Sequence, residues 1–363
     1  MSLPVFLRDV LLSAVSMLNS ASVWMIFSFF AAGIIHEFVS LEKMQRFAIG
    51  SKKFSGILGM TLLGACLPIC SCGTIPLGIS MYYSGAYLGP VLTFMTSTPM
   101  INPIAVILAY GLLGKEIATI YVLTGLLGPL LIGLIANRFA GEELYYRPAY
   151  EKKAKKLFLE EERPSLFVRL REGLRWAFTE LSLAISKYTV SGMLIAGVLF
   201  TVVPQGAIQR YLGSPGMISL LGITAVAALM YVCAVGHIPF IAAVVASGAA
   251  PGVAVTFLMA GCATNIAELL TIGRCIGKRA VILYSLSVIL LSEIAGYAAN
   301  RLLPDFKPVL NYDRTSHSIQ SANRLLLIFP SWLQYLCSAL LFGYALFSLW
   351  LWLKSWLFGE KEG

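Results

Sequence analysis

The chain has 363 residues, of which 58% are apolar and only 12% charged, with 32 glycines and a net charge of +9. A soluble domain carries about a quarter of charged residues, so a water-soluble globular enzyme is excluded, and the apolar excess equally excludes a disordered chain. What remains is an all-α polytopic membrane protein, because the apolar runs continue unbroken for about 20 residues instead of alternating in segments of about ten, as barrel strands do.

In chain order, residues 3–18 read as an interfacial lead-in helix. Asp9 and the direct run into 24–32 argue against a cleaved secretory signal. Apolar helices follow near 20–39 and 55–69, then a short piece near 73–84, then helices near 87–113 and 117–137. The stretch 138–177 holds ten Lys/Arg and seven Glu and reads as a charged cytoplasmic linker ending in an amphipathic surface helix over 165–176. Helices near 180–203 and 215–232, a second short piece near 236–247, and helices near 250–272 and 279–300 come next. A last span covers about 331–357, where Trp332, Trp350, Trp352 and Trp356 suit an interfacial belt. The organisation is therefore a first membrane repeat (1–137), the linker (138–177), a second membrane repeat (178–301), a polar loop (302–330) and a C-terminal transmembrane helix (331–363).

The repeat is visible on self-comparison. Shifted by 163 residues, 70–138 falls on 233–301 without a gap, and 20 of the 69 columns are identical. Membrane composition produces chance matches at Leu or Ala. It does not put Gly73, Pro76, Gly85, Gly89, Asn102, Gly114 and Arg138 in register with Gly236, Pro239, Gly248, Gly252, Asn265, Gly277 and Arg301. Basic residues cluster between the apolar runs, as the positive-inside bias requires, so the charge calls for no nucleic acid. Counting them favours five segments per half, with the halves inverted relative to each other, over four segments in parallel halves. Twelve residues rise only about 18 Å as a helix, short of a hydrocarbon core of about 30 Å. The two short pieces are thus expected to be broken or extended, and to line a cavity. Such interrupted segments at matching places mark a transporter's binding site.

Three thiols, Cys66, Cys70 and Cys72, lie between and beside Pro68 and Pro76. Thiolates are soft ligands for thiophilic solutes and metals, and Cys70 recurs as Cys233, so Cys70 and Cys72 are candidate ligands for a soft metal or related substrate. An odd total of seven cysteines, mostly inside apolar runs, argues against a disulfide framework. The second motif runs Thr98-Pro99-Met100-Ile101-Asn102-Pro103, and its partner contains Cys262, Asn265 and Glu268. Each Asn either binds substrate or satisfies backbone groups freed at a helix break. Glu268, deep in an apolar run, marks an ion or proton pathway unless it is paired with a cation, for which Lys187 is the nearest candidate by depth. His237 replaces Thr74 inside the second short piece and is either a ligand, a proton carrier or a hydrogen-bonded structural residue. His36 and Glu37 close the first span near an interface. No P-loop, nucleophile triad or paired-carboxylate constellation is present, so neither an enzyme nor a cofactor is implied.

Cys70-Ser71-Cys72-Gly73-Thr74-Ile75-Pro76-Leu77, then Ser84-Gly85-Ala86 and Gly89, then Thr98 through Pro103, resemble the predicted permease family. That family includes the ArsP-type organoarsenical efflux permeases and transporters ascribed to copper or zinc efflux. The resemblance covers roughly residues 15–300 and implies a bacterial or archaeal inner-membrane permease. By motif it carries over Cys70, Cys72, Pro76, Pro99 and Asn102 as substrate-binding positions. Cys233, His237, Cys262, Asn265 and Glu268 follow from the repeat. The metal-efflux branch tends to carry an acidic Pro-Glu motif where this chain has Pro99-Met100-Ile101-Asn102, which favours the ArsP-like branch.

The resulting expectation is a multi-pass inner-membrane permease, surrounded by lipid, monomeric or homo-oligomeric. It exports a small thiophilic solute, a trivalent organoarsenical or a soft metal, by alternating access coupled to protons at Glu268. Two alternatives stay open: a carrier or channel for a small anion or sulfur compound, and a membrane subunit of a larger complex that transports nothing alone.

Overall fold

The computed structural model describes residues 3–38, 53–67, 71–148, 166–183, 185–191, 194, 214–229, 232–246, 248–304, 306 and 330–358. Among these residues no strand occurs. The first half contains α1 (Leu3–Phe38), α2 (Phe54–Cys66), α3 (Ser71–Tyr83), α4 (Leu88–Met100), α5 (Pro103–Leu112) and α6 (Lys115–Phe139). A 3₁₀ turn, Gly141–Leu144, follows. The amphipathic helix α7 (Leu166–Trp176) runs into a π-helical turn, Ala177–Leu181. The second half contains α8 (Met217–Leu229), α9 (Ala234–Ala246), α10 (Pro251–Ala263), α11 (Ile266–Cys275) and α12 (Lys278–Leu302). Helix α13 (Ser331–Phe358) closes the described chain.

Every boundary from α2 to α6 reappears in α8 to α12 shifted by 163 residues, the offset of the sequence repeat. The side-chain contacts repeat as well. The backbone N–H of Gly89 donates to Asn137 Oδ1 (2.8 Å), and that of Gly252 donates to Asn300 Oδ1 (2.7 Å). Thr93 Oγ1 donates to the Pro129 carbonyl and Thr256 Oγ1 to the Ser292 carbonyl, both at 3.1 Å. Each Asn near the end of a long helix thus satisfies an N-terminal amide of the antiparallel neighbour, which that helix cannot bond internally.

Length and exposure explain which helices meet lipid. The 25-residue helices α6 and α12 are each about 37 Å long at 1.5 Å per residue, enough for a membrane core. Leu123, Leu127, Leu131 and Leu134 form an exposed stripe on α6, and Ile282, Leu286, Leu290 and Ile294 form its counterpart on α12. An apolar band of that extent has no place in water and faces acyl chains. By contrast, every residue of α4 and α10 is buried, so these two helices form the centre of the bundle.

One expectation changes. The short segments are not broken or extended: α3 and α9 are helices of 13 residues that keep Pro76 and Pro239 inside them. Each rises about 20 Å. The breaks expected at the two Asn motifs are present: α4 and α5 meet at 42° at Ile101 and Asn102, and α10 and α11 meet at 40° at Thr264 and Asn265. Helix α1 runs over 36 residues and bends by 41° between 10–16 and 21–36, where the lead-in meets the first span. Helix α7 packs against α1, where His36 stacks on Trp176 with ring centroids 3.8 Å apart.

Where the first half ends, it grips the second. Glu143, in the 3₁₀ turn after α6, accepts from the backbone N–H groups of Arg279 (3.2 Å) and Ala280 with its carboxylate. A carboxylate at a helix start satisfies orphan amides and complements the helix dipole. The C-terminal end of α6 therefore lies beside the N-terminal end of α12, and these two corresponding helices run antiparallel.

A substitution at the closest helix crossing should be costly. A Cβ on Gly252 would meet the Gly296 carbonyl oxygen and Asn300, whereas one on Gly59 meets nothing within 4 Å. Gly252→Ala should destabilise the purified protein by about 1–3 kcal/mol through overpacking, and Gly59→Ala should not. Thermal unfolding in detergent measures both, and equal melting temperatures would contradict this crossing.

Candidate functional site

The two breaks share one local construction. In each, the residue before the Asn leaves helical geometry, and the Asn itself is extended: Asn102 at φ −106°, ψ 157° and Asn265 at φ −116°, ψ 155°. The Asn side chain then caps the next helix. Asn102 Oδ1 accepts from Ala105 N, and Asn265 Oδ1 accepts from Glu268 N, both at 2.8 Å. Asn is among the best N-caps because its short side chain reaches the third amide of the new helix. Pro103, at the first helical position of α5, lacks an N–H that would be unbonded there anyway.

At one point the halves diverge. Where the first half has Ala105, the second has Glu268, which is 0% exposed. Its Oε1 accepts from the Tyr284 hydroxyl (3.0 Å) and its Oε2 from Asn265 Nδ2 (3.1 Å). Lys187 is not its partner: among the described residues the one salt bridge joins Arg147 and Glu142. A carboxyl removed from water costs several kcal/mol when charged and unpaired by a cation, and the partners given to it here are two neutral donors.

The Tyr284 hydroxyl also lies beside Thr96 of α4, whose own hydroxyl donates to the Leu92 carbonyl at 2.6 Å, so the acid of the second half sits against the first. Tyr121, the residue corresponding to Tyr284, is likewise fully buried, but its hydroxyl donates to the Met100 carbonyl at the end of α4. It lies within electrostatic reach of the thiols of Cys262 and Cys233, and Cys262 lies within reach of Glu268. His237 sits one turn after Cys233, its Nδ1 3.1 Å from the Cys233 carbonyl oxygen, with its ring against Phe257.

The structure thus gathers the buried Cys262, Asn265 and Glu268, with the half-buried Cys233 and His237 near them and with Pro99 and Asn102 at the matching break. Cys70 lies outside the described residues, as does the side chain of Cys72, while Pro76 is buried within α3. Among the described residues no three His, Cys, Asp or Glu side chains are placed to hold a metal ion. Tyr121, Tyr284 and Thr96 are absent from the residues singled out in the sequence. The two tyrosines were detectable there, as an identical pair in the repeat.

A duplicated helical bundle with two bent spans meeting around buried polar groups is a membrane transport protein in its construction. The predicted permease family, ArsP_1, matches residues 7–301, and the chain belongs to that family. It is 25% identical to the UPF0718 protein MJ0584 of Methanocaldococcus jannaschii, over 77% of this chain and 91% of that protein. It is 27% identical to the UPF0718 protein YcgR of Bacillus subtilis, over 74% of this chain and 89% of that protein. No solved structure matches it.

Asn102 and Asn265 should not be equivalent in energy. Replacing either by Ala removes a cap worth about 1 kcal/mol. Asn265→Ala also takes a hydrogen bond from a buried carboxyl, which adds about 1.5–3 kcal/mol if that carboxyl is charged. Unfolding measurements on both variants should rank Asn265→Ala as the more damaging, and equal losses would show that the Asn265–Glu268 contact contributes nothing.

Proposed function

We propose that this permease is a secondary transporter whose solute crosses between the two bent spans, driven by protons that bind at Glu268. The observation that carries this reading is the buried carboxyl at one of two otherwise matched helix breaks, held by an amide and a hydroxyl. Packing does not account for such a group, and ionisable side chains inside membrane bundles serve ion and proton pathways. The inverted arrangement of the halves is part of the proposal. Its support is the antiparallel course of α6 and α12, fixed where Glu143 caps α12.

For the substrate, we infer a small thiophilic solute, a trivalent organoarsenical before a soft metal. The support is the Cys-Ser-Cys motif at Cys70 and Cys72, the buried Cys262 with the half-buried Cys233 near it, and the resemblance of this chain's motifs to the ArsP-type permeases. A trivalent arsenical exchanges thiol ligands, so cysteines can accept it from a cytoplasmic thiol carrier and release it outside the inner membrane. An anion fits less well, because the first turn of α11, whose amides would attract it, already holds the Glu268 carboxyl.

Everted vesicles test the mechanism. An imposed proton gradient should drive methylarsenite accumulation by the wild type. Glu268→Gln keeps the shape and one accepting oxygen but cannot bind a proton, and it should reduce this driven transport by at least tenfold. Cys70→Ser with Cys72→Ser should abolish it at unchanged expression. Wild-type rates with unchanged pH dependence in Glu268→Gln would make Glu268 structural. The topology is tested separately, by labelling single cysteines from outside intact cells in a cysteine-free background. Labelling should occur in 301–330 and not in 41–54, and the reverse pattern would overturn the inverted arrangement.

A further inference from the structure

We propose that Tyr284 is a positioning residue that reports the protonation of Glu268 to the interface between the halves by changing the acceptor of its hydroxyl. This inference rests on the proton-binding role given to Glu268 above. It comes from the different positions of two corresponding hydroxyls. Tyr121 and Tyr284 occupy the same place in their long helices, and both are fully buried. The breaks beside them share backbone angles and bend angle. Yet Tyr121 donates to the last carbonyl of α4, at Met100, and Tyr284 donates to Glu268 Oε1. The residue corresponding to Met100 is Ala263, the last of α10.

The chemistry of the acceptors explains the difference. A hydroxyl prefers an ionised carboxylate, because a charge-assisted hydrogen bond is about twice as strong as a neutral one. Once Glu268 takes a proton from the aqueous side, its oxygens lose that advantage. A helix-terminal peptide carbonyl, with lone pairs left unbonded by the break, then becomes the better acceptor. Tyr284 keeps its own proton throughout. Only its acceptor changes, from Glu268 to the Ala263 carbonyl, so the second half takes the state already seen at Tyr121.

That move has a consequence across the interface. The Tyr284 hydroxyl lies beside Thr96 of α4, which is bonded within its own helix to the Leu92 carbonyl, while the residue corresponding to Thr96 is Met259, which has no hydroxyl. Moving the Tyr284 hydroxyl takes it away from Thr96 and changes how the acid's partner packs against the opposite half. The groups facing Glu268 are Asn265 on its own helix, Tyr284 on α12 and the Cys262 thiol on α10. Among the described residues none of them is a cation, so no salt bridge competes with the switch.

Infrared difference spectra between acidic and alkaline pH, recorded on the full chain in lipid with ring-deuterated tyrosine, test this directly. In the wild type, a protonated-carboxyl band should appear together with a change in a tyrosine band. Glu268→Gln should remove both, Tyr284→Phe should remove the tyrosine change and keep a carboxyl band, and Tyr121→Phe should keep both. A tyrosine change that survives Tyr284→Phe overturns the switch, as does a Glu268 carboxyl band with no tyrosine change; in the latter case the proton-binding role of Glu268 stands. If Glu268→Gln removes no carboxyl band, Glu268 does not bind protons in this range, and both the role and the switch fall.

Discussion

A bent span stopped by an Asn cap is the constraint on which this structure depends. Buried backbone cannot leave its amides and carbonyls unbonded in a membrane. A span can be interrupted there only if side chains complete the hydrogen bonding. Asn102 and Asn265 do this for the starts of α5 and α11, and Tyr121 does it for the end of α4. Because an Asn caps the new helix at both breaks, they stay buried in the centre of the bundle, between the long outer helices that face lipid.

On that symmetric frame, one substitution goes with a different hydrogen bond. Glu268, in place of Ala105, accepts from the Tyr284 hydroxyl, whereas the counterpart hydroxyl of Tyr121 is bonded to the Met100 carbonyl. A second asymmetry sits at one end of the bundle. The Tyr83 hydroxyl reaches the Cys275 carbonyl at 3.0 Å, joining the ends of α3 and α11, whereas the corresponding positions are Ala246 and Leu112, which have no hydroxyl to offer. The halves share a fold and hold different polar contacts.

Much of this was legible in the sequence because Gly, Pro and Asn carry positional information that apolar residues do not. The 163-residue repeat, the breaks at Asn102 and Asn265, and the exceptional status of Glu268 all follow from such residues. The short pieces were misjudged, because a proline reads as a helix breaker although neighbours in a bundle can satisfy the carbonyl it leaves. Tyr121 and Tyr284 do not stand out in the sequence, because a tyrosine inside an apolar run looks like packing until its hydroxyl has a partner. The Glu143 cap on α12 joins residues more than 130 positions apart, and no local pattern announces it.

Alternating access at the proposed site would require the two halves to exchange conformations. Distances between spin labels measure this most directly. In a cysteine-free chain in lipid, one label pair is placed at Tyr83 and Arg274, the other at the corresponding Ala246 and Gly111. Between acidic and alkaline pH, one distance should lengthen while the other shortens, and Glu268→Gln should hold both fixed. Distances that stay constant in the wild type, or that change in the same direction, would contradict an exchange between the halves.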